Sequence, residues 1–141
     1  MKVKLIETIE EMRAFSKDAK SKNLSIGYVP TMGALHDGHV SLMKKAVEQN
    51  DIAVMTIFVN PIQFGPNEDY NKYPRTLEAD LEKAEAAGIS AVFFPSATEL
   101  TANLYSYIDI NELQNNLCGT KRPGHFRGVC TIVGKFFNII Q

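Results

Sequence analysis

Residues 52–59, IAVMTIFV, form a continuous apolar run introduced by Asp51. A strand with one wet face would alternate apolar and polar residues. This one reads as a strand covered on both faces, the condition of an inner strand in a parallel sheet layered with helices. Helical periods lie on either side of it. Ile9, Met12, Phe15 and Ala19 predict a helix over about residues 8–22, with Glu10, Glu11, Lys17 and Lys20 facing away. Val40, Met43, Ala46 and Val47 predict a second that begins near His39. Leu77, Leu81 and Ala84 mark a third, with Glu78 and Asp80 in its first turn and Gly88 just past its end. Ser25–Val29, stopped by Pro30, and Ala91–Phe94, closed by Pro95, read as two more strands. The alternation predicts βαβ units with right-handed crossovers, and thus an α/β chain carrying three strands of a doubly wound sheet.

After Pro95 the pattern changes. Leu104, Tyr105, Tyr107, Ile108 and Ile110 suggest an exposed edge strand, and Asn111 is placed to cap a short helix ending at Gly119. Val129, Ile132, Val133, Phe136, Phe137 and Ile140 then recur at helical spacing, predicting a core-facing helix over 129–140. No strand follows it, so the 141 residues are expected to be the N-terminal part of a longer domain. On that expectation part of the helix's apolar face stays uncovered.

A net charge of -1 lacks the basic excess of a nucleic-acid or membrane-surface binder, and no apolar run approaches the length of a membrane span. The opening MKVKLIETIEEMR turns acidic too early for a targeting peptide. Cys118 and Cys130 stand in no CxxC spacing and read as reduced, buried thiols, which points to a cytoplasmic protein.

The chemistry concentrates in YVPTMGALHDGHVSL, residues 28–42. Gly33 lets the chain turn, and Gly38 lets backbone approach a ligand at the helix start. A strand–turn–helix in a parallel sheet is expected to aim unpaired N–H groups at the crevice beyond the strand ends, where an anion such as phosphate is favoured. His36 and His39, three apart at the helix start, add directional N–H donors on one side. Such a pair suits the oxygens of a triphosphate whose α-phosphorus is under attack. Two other readings stay open: a zinc site with His125, for which no fourth ligand has matching spacing, and a role for both histidines in merely capping the turn.

PTMGALHDGH resembles the nucleotide-binding turn of the pantoate–β-alanine ligase family, and the resemblance continues in order through IFVNPIQF at 57–64, YPRTLEADL at 73–81 and KRPGHFRGV at 121–129. HxGH alone is shared with other nucleotidyltransferases and class I aminoacyl-tRNA synthetases; the four blocks together are not. The resemblance implies a Rossmann-like HxGH nucleotidyltransferase fold, of which residues 1–141 are the N-terminal part. The family's GEKD-type block, its SSRN segment and its small C-terminal domain have no match in this sequence.

Carried over by residue, the resemblance implies that Met32, Gly33, Ala34, Leu35, His36, Asp37, Gly38 and His39 hold ATP, with His39 as proton donor and His36 on phosphate. It implies that Gln63 binds both pantoate and β-alanine, with Pro30, Thr31, Met32 and Asn60 completing the pantoate pocket. Tyr73, Arg122 and His125 are supporting candidates. The bland alternatives are that Asn60-Pro61 is only a strand-ending turn, that Tyr73 and Arg75 anchor a loop, and that Arg122, His125 and Arg127 anchor the last helix.

The implied reaction joins pantoate to β-alanine through pantoyl adenylate, releasing diphosphate and then AMP. Mg²⁺ would be carried on the ATP phosphates, not held by protein side chains. The family also implies a homodimer. Departures at ELTANLYS (99–106) and LCG (117–119) affect the region around 100–119. The alternatives are another HxGH nucleotidyltransferase, such as a phosphopantetheine adenylyltransferase, and a silent nucleotide- or pantoate-binding module. The isolated 141 residues are expected to bind ATP weakly and to be inactive.

Overall fold

The computed structural model describes residues 2–66, 68, 70–102, 104 and 106–141. Among them, four strands form one parallel sheet in the order β1 (Lys4–Ile6), β4 (Ala91–Phe93), β3 (Ile52–Ile57), β2 (Ile26–Thr31). The inner strand β3 pairs along its whole length with β2, from Ile26 opposite Ile52 to Thr31 opposite Ile57.

Its side chains alternate between two cores. Val54 faces a layer that holds Ile6, Met12, Phe93, Phe136 and Ile139, from β1, α1 (Ile9–Ser21), β4 and a long helix at the end of the chain. Ala53, Met55 and Ile57 face Met43 and Ala84, from α2 (Asp37–Gln49) and α3 (Leu77–Ala87). Met12, Met43, Met55 and Phe93 are fully buried, each favouring the folded state by about 2 kcal/mol over an exposed side chain. The run that looked buried on both faces is so because helices cover both.

Several sequence expectations need correction. The sheet has a fourth strand: β1 is three residues long with only Ile6 buried, too short to show a period. Pro30 does not stop β2, which runs on to Thr31; β2 is a sheet edge, where a residue without an N–H is tolerated.

No edge strand forms among the described residues of 104–110, and Tyr105 lies outside them. The segment follows α6 (His125–Ile140) instead. Ile108 N–H donates to Thr131 Oγ1 at 2.9 Å, Ile108 Cδ1 lies against Gly134, and the Arg127 guanidinium sits 4.0 Å from the Tyr107 ring centroid. After α4 (Ala97–Thr101), the single helix expected over 111–119 is replaced by a 3₁₀ turn at Leu113–Asn115 and the short α5 (Cys118–Lys121). The last helix begins at His125, four residues before its apolar period starts. Cys118 is exposed, not buried, and Cys130 is half-buried. Phe137 on α6 is 59 % exposed, in line with the uncovered face expected there.

Candidate active site

The site is built at the carboxyl ends of β2 and β3. Beyond Thr31 the chain enters a turn in which two successive residues are left-handed, Gly33 at φ 81° and Ala34 at φ 51°. A side chain at Gly33 would also lie 3.0 Å from Asp80 Oδ2. Asp80, 1 % exposed, reaches across from α3 and fastens the turn. Its Oδ2 accepts from Ala34 N–H and its Oδ1 from Leu35 N–H, both at 2.9 Å. Thr76 Oγ1 gives the carboxylate its third bond, to Oδ2 at 3.2 Å. One turn along α3, Lys83 Nζ donates to Leu35 O at 2.7 Å.

The two histidines cap α2 reciprocally. His36 is the N-cap, and its Nδ1 accepts from Gly38 N–H at 3.1 Å. His39 Nδ1 accepts from His36 N–H at 3.1 Å. The rings lie 3.9 Å apart between centroids; His36 is exposed and His39 half-buried, and neither enters the apolar layers. A backbone N–H can only donate, so each neutral imidazole carries its proton on Nε2, across the ring from the turn. Burial and the neighbouring His36 charge lower the His39 pKa; Asp80 pulls it up and Lys83 pushes it down. The pair thus caps the turn with one nitrogen and has the other available as a donor.

The expectation of unpaired N–H groups does not hold for most of the turn. Gly33 N–H goes to Thr31 Oγ1, Ala34 and Leu35 to Asp80, and His36 and Gly38 to imidazoles. Gly38 serves the His36 ring first: a Cβ there would lie 2.9 Å from His36 Cε1.

The second wall follows β3. Asn60 caps a 3₁₀ turn at Pro61–Gln63 through Oδ1, which accepts from Ile62 N–H at 3.3 Å. Its Nδ2 donates to Gln63 Oε1 at 3.2 Å and to Gly128 O at 3.0 Å. Gln63, which showed no structural duty in sequence, is therefore part of a buried amide network, and its Nε2 lies 3.2 Å from Met32 Sδ. Gly128 is where α6 meets this turn: an added Cβ would lie 2.6 Å from Gln63 Cα and from Ile62 O.

A cleft of about 260 Å³ opens between the walls. Pro30, Thr31, Met32, His39, Asn60, Gln63 and Tyr73 all line it, together with Thr56, Phe58 and the apolar Val129, Ile132, Val133 and Phe136. The remaining residues of the 33–38 turn are not part of its lining.

Arg122 and His125 also lie outside the lining. His125 Nδ1 donates to Gln63 O at 3.0 Å, and its Nε2 faces Arg122 Nη1 at 3.3 Å. Arg122 in turn pairs with the Glu68 carboxylate, whose pKa falls to about 2 through that bond and one from Gly65 N–H. They anchor α6, the simpler of the two readings. Arg75 likewise donates to the carbonyls of Tyr70, Asn71 and Tyr73, as a loop anchor does.

Asp80, Lys83, Gly128 and the apolar residues of α6 hold or line the candidate site and were passed over by sequence reasoning. Asp80 left a signal: it falls on the same helix face as Leu77 and Ala84, where a carboxylate would be costly unless partnered. Among the described residues, no three His, Cys, Asp or Glu side chains come together as a metal site, and no helix is long and apolar enough to cross a membrane.

The fold is a parallel α/β sheet with a histidine-capped turn and an open cleft at its carboxyl edge. Residues 4–141 match the family model described as pantoate-beta-alanine ligase, and the chain belongs to that family. It is 58% identical over 140 residues to the pantothenate synthetase of Fervidobacterium nodosum, covering 99% of this chain and 50% of that protein. It is 51% identical to that of Thermotoga petrophila, with the same coverage. The crystal structure of the Thermus thermophilus pantothenate synthetase superposes with a TM-score of 0.88 at 38% identity, covering 99% of this chain and 49% of that one. A Francisella tularensis pantoate-beta-alanine ligase, complexed with beta-gamma ATP and beta-alanine, gives 0.90 at 38% identity, covering 98% and 53%. The chain spans about half the length of the curated relatives it matches.

Proposed function

We propose that this chain supplies the nucleotide and pantoate site of an enzyme that condenses (R)-pantoate with β-alanine at the expense of ATP. The observation that carries the reading is the single cleft in which His39 joins Pro30, Thr31, Met32, Asn60, Gln63 and Tyr73. The Francisella relative, complexed with an ATP species and β-alanine, supports it.

In the proposed reaction the pantoate carboxylate attacks the α-phosphorus, diphosphate leaves, and the β-alanine amine then attacks the acyl carbon and expels AMP. The substrate carboxylate is itself the nucleophile, so the protein's work is alignment and charge stabilisation. Its turn N–H groups are largely spent on Asp80 and on the histidines. The main phosphate donors are therefore the Nε2–H groups of His36 and His39, with the start of α2 behind them. A neutral His39 donates a hydrogen bond as negative charge grows on the phosphate oxygens, where a preplaced donor is worth most. Mg²⁺ would enter on the ATP phosphates, consistent with Asp80's oxygens being committed to backbone N–H groups. The apolar side chains of α6 would take the carbon skeleton of pantoate, and Gln63 its oxygens.

Turnover is assigned to a protein of full family length; the 141 residues are proposed to bind substrates weakly without completing the reaction. The homodimer stays part of the proposal. In the full-length enzyme His39→Ala should lower the single-turnover rate of adenylation by roughly 10²–10³ with a smaller loss of ATP affinity. An unchanged rate with weakened ATP binding would reduce His39 to a binding residue.

A further inference from the structure

Asn60 lines the cleft but is only 1 % exposed, with both Nδ2 hydrogens and its Oδ1 in use. Two of its three partners are backbone groups whose polarity cannot change. Ile62 N–H can only donate, so it faces Oδ1; Gly128 O can only accept, so it faces Nδ2. The Asn60 amide is thereby fixed in one orientation from both ends. Its second Nδ2 hydrogen points at Gln63, which must answer with oxygen. That choice sends Gln63 Nε2 to the opposite side, 3.2 Å from Met32 Sδ, a weak acceptor that a ligand oxygen could replace. The same helix start holds the main chain of the residue, through His125 Nδ1–H on Gln63 O at 3.0 Å. A glutamine without such partners has two amide orientations of similar energy, and one of them would offer a substrate oxygen the wrong atom.

We propose that Asn60 is a positioning residue: it relays the polarity of the Ile62 and Gly128 backbone to the Gln63 carboxamide, so that the cleft presents an N–H donor beside Met32 and selects an oxygen acceptor of the substrate there. This rests on the reading that Gln63 meets pantoate. Asn60 then acts on substrate only through Gln63.

The test has two arms. Calorimetry measures (R)-pantoate binding to the full-length enzyme as wild type, Asn60→Asp, Gln63→Ala and the double variant. An aspartate at 60 offers oxygen where Nδ2 was and turns the Gln63 amide round. Asn60→Asp should weaken binding about tenfold or more alone, and by less than about twofold when Gln63 is already alanine. Equal losses in both backgrounds would overturn the proposal, since Asn60 would then act on its own or through the fold.

The second arm needs no substrate. Side-chain amide NMR of the wild-type chain should show slow exchange at both Asn60 Nδ2 protons and a nuclear Overhauser contact between the Gln63 Nε2 protons and the Met32 methyl. That contact should be lost in Asn60→Asp. Its absence in the wild type, or its persistence in the variant, would overturn the proposal even if the variant proved too unstable for calorimetry. A wild-type chain that shows the amide pattern, in a full-length enzyme that binds no pantoate, would instead defeat the substrate reading and leave the polarity relay standing.

Discussion

The two walls of the cleft leave neighbouring strands at one edge of the sheet and are held by opposite means. The turn after β2 is held by charge. One buried carboxylate, Asp80, accepts two backbone N–H groups and keeps two consecutive left-handed residues in place. The loop after β3 is held by fit. Neutral amides join it to α6, and the helix comes so close at Gly128 that no side chain is tolerated. A charge-assisted bond survives small displacements because attraction falls off gradually, whereas close packing fails over a few tenths of an ångström. The histidines therefore stand on the more forgiving wall and Gln63 on the more exacting one.

Gly128→Ala should break the exacting wall outright. The three nearest atoms to the new methyl are backbone atoms of residues 62 and 63, which cannot rotate aside. A loss of about 3 kcal/mol in urea unfolding is expected. A loss well under 1 kcal/mol would show that α6 can ride off the loop, and that the contact is no tighter than the other wall.

Asp80→Asn is the matching test of the charged wall. Asparagine supplies one acceptor and sets an N–H₂ against the second backbone donor, at an expected cost of about 2 kcal/mol. On the proposed function, weaker ATP binding by the full-length enzyme should accompany it, because the histidine caps follow directly on Leu35. An unchanged urea midpoint would mean that Gly33 and Ala34 hold the turn without a carboxylate.

How much of this was legible follows the same division. Three of the four strands, the main flanking helices and the position of His39 at a helix start follow from periodicity, since each of their buried faces repeats in sequence, whereas β1 is too short to show a period. Gathering His39, Asn60 and Gln63 at one edge follows from parallel strands, which all end on the same side. What the sequence hides is the side-chain traffic between distant segments. The Asp80 bonds to residues 34 and 35, and the Asn60 bond to residue 128, span too many positions for any local pattern. The region 100–121 misled for a different reason. Its apolar Ile108 alternates like a strand residue but packs on a helix that offers a glycine and a threonine at the right places.

Acidification should sharpen the contrast by weakening the histidine-capped turn. Both imidazoles accept a backbone N–H at Nδ1, and a protonated ring cannot. The His39 pKa is lowered from the ordinary 6.5, so the unfolded chain takes up that proton first as the pH falls. The stability linked to this proton, through burial first and then the neighbouring His36, is therefore complete above 6.5 and is lost as the pH drops through the lower folded value. The urea midpoint should fall across that window, by less than Asp80→Asn costs, and His39→Gln, which keeps an acceptor, should flatten the dependence. An identical slope in that variant would place the titrating group elsewhere.

The smallest effect belongs to the outer support of the exacting wall, the ion pair between Glu68 and Arg122. Arg122 and Gly65 N–H hold the Glu68 carboxyl at about 2, below its ordinary 4.5, so here too the unfolded chain binds the proton first. The contribution is complete above 4.5 and fades as the pH falls towards 2. Both side chains are partly exposed, so solvent screens the pair, and its removal should move the urea midpoint at neutral pH less than any change above. Its effect should be local. Arg122 meets His125, His125 holds Gln63 O, and Gly128 N–H closes the first turn of α6 onto Gly124 O at 3.0 Å. In Glu68→Gln the Gly128 amide should exchange faster with solvent while the amides of β3 keep their protection. Equal protection of Gly128 in both proteins would show that the ion pair is an idle surface contact and that the wall is held by Asn60 and Gly128 alone.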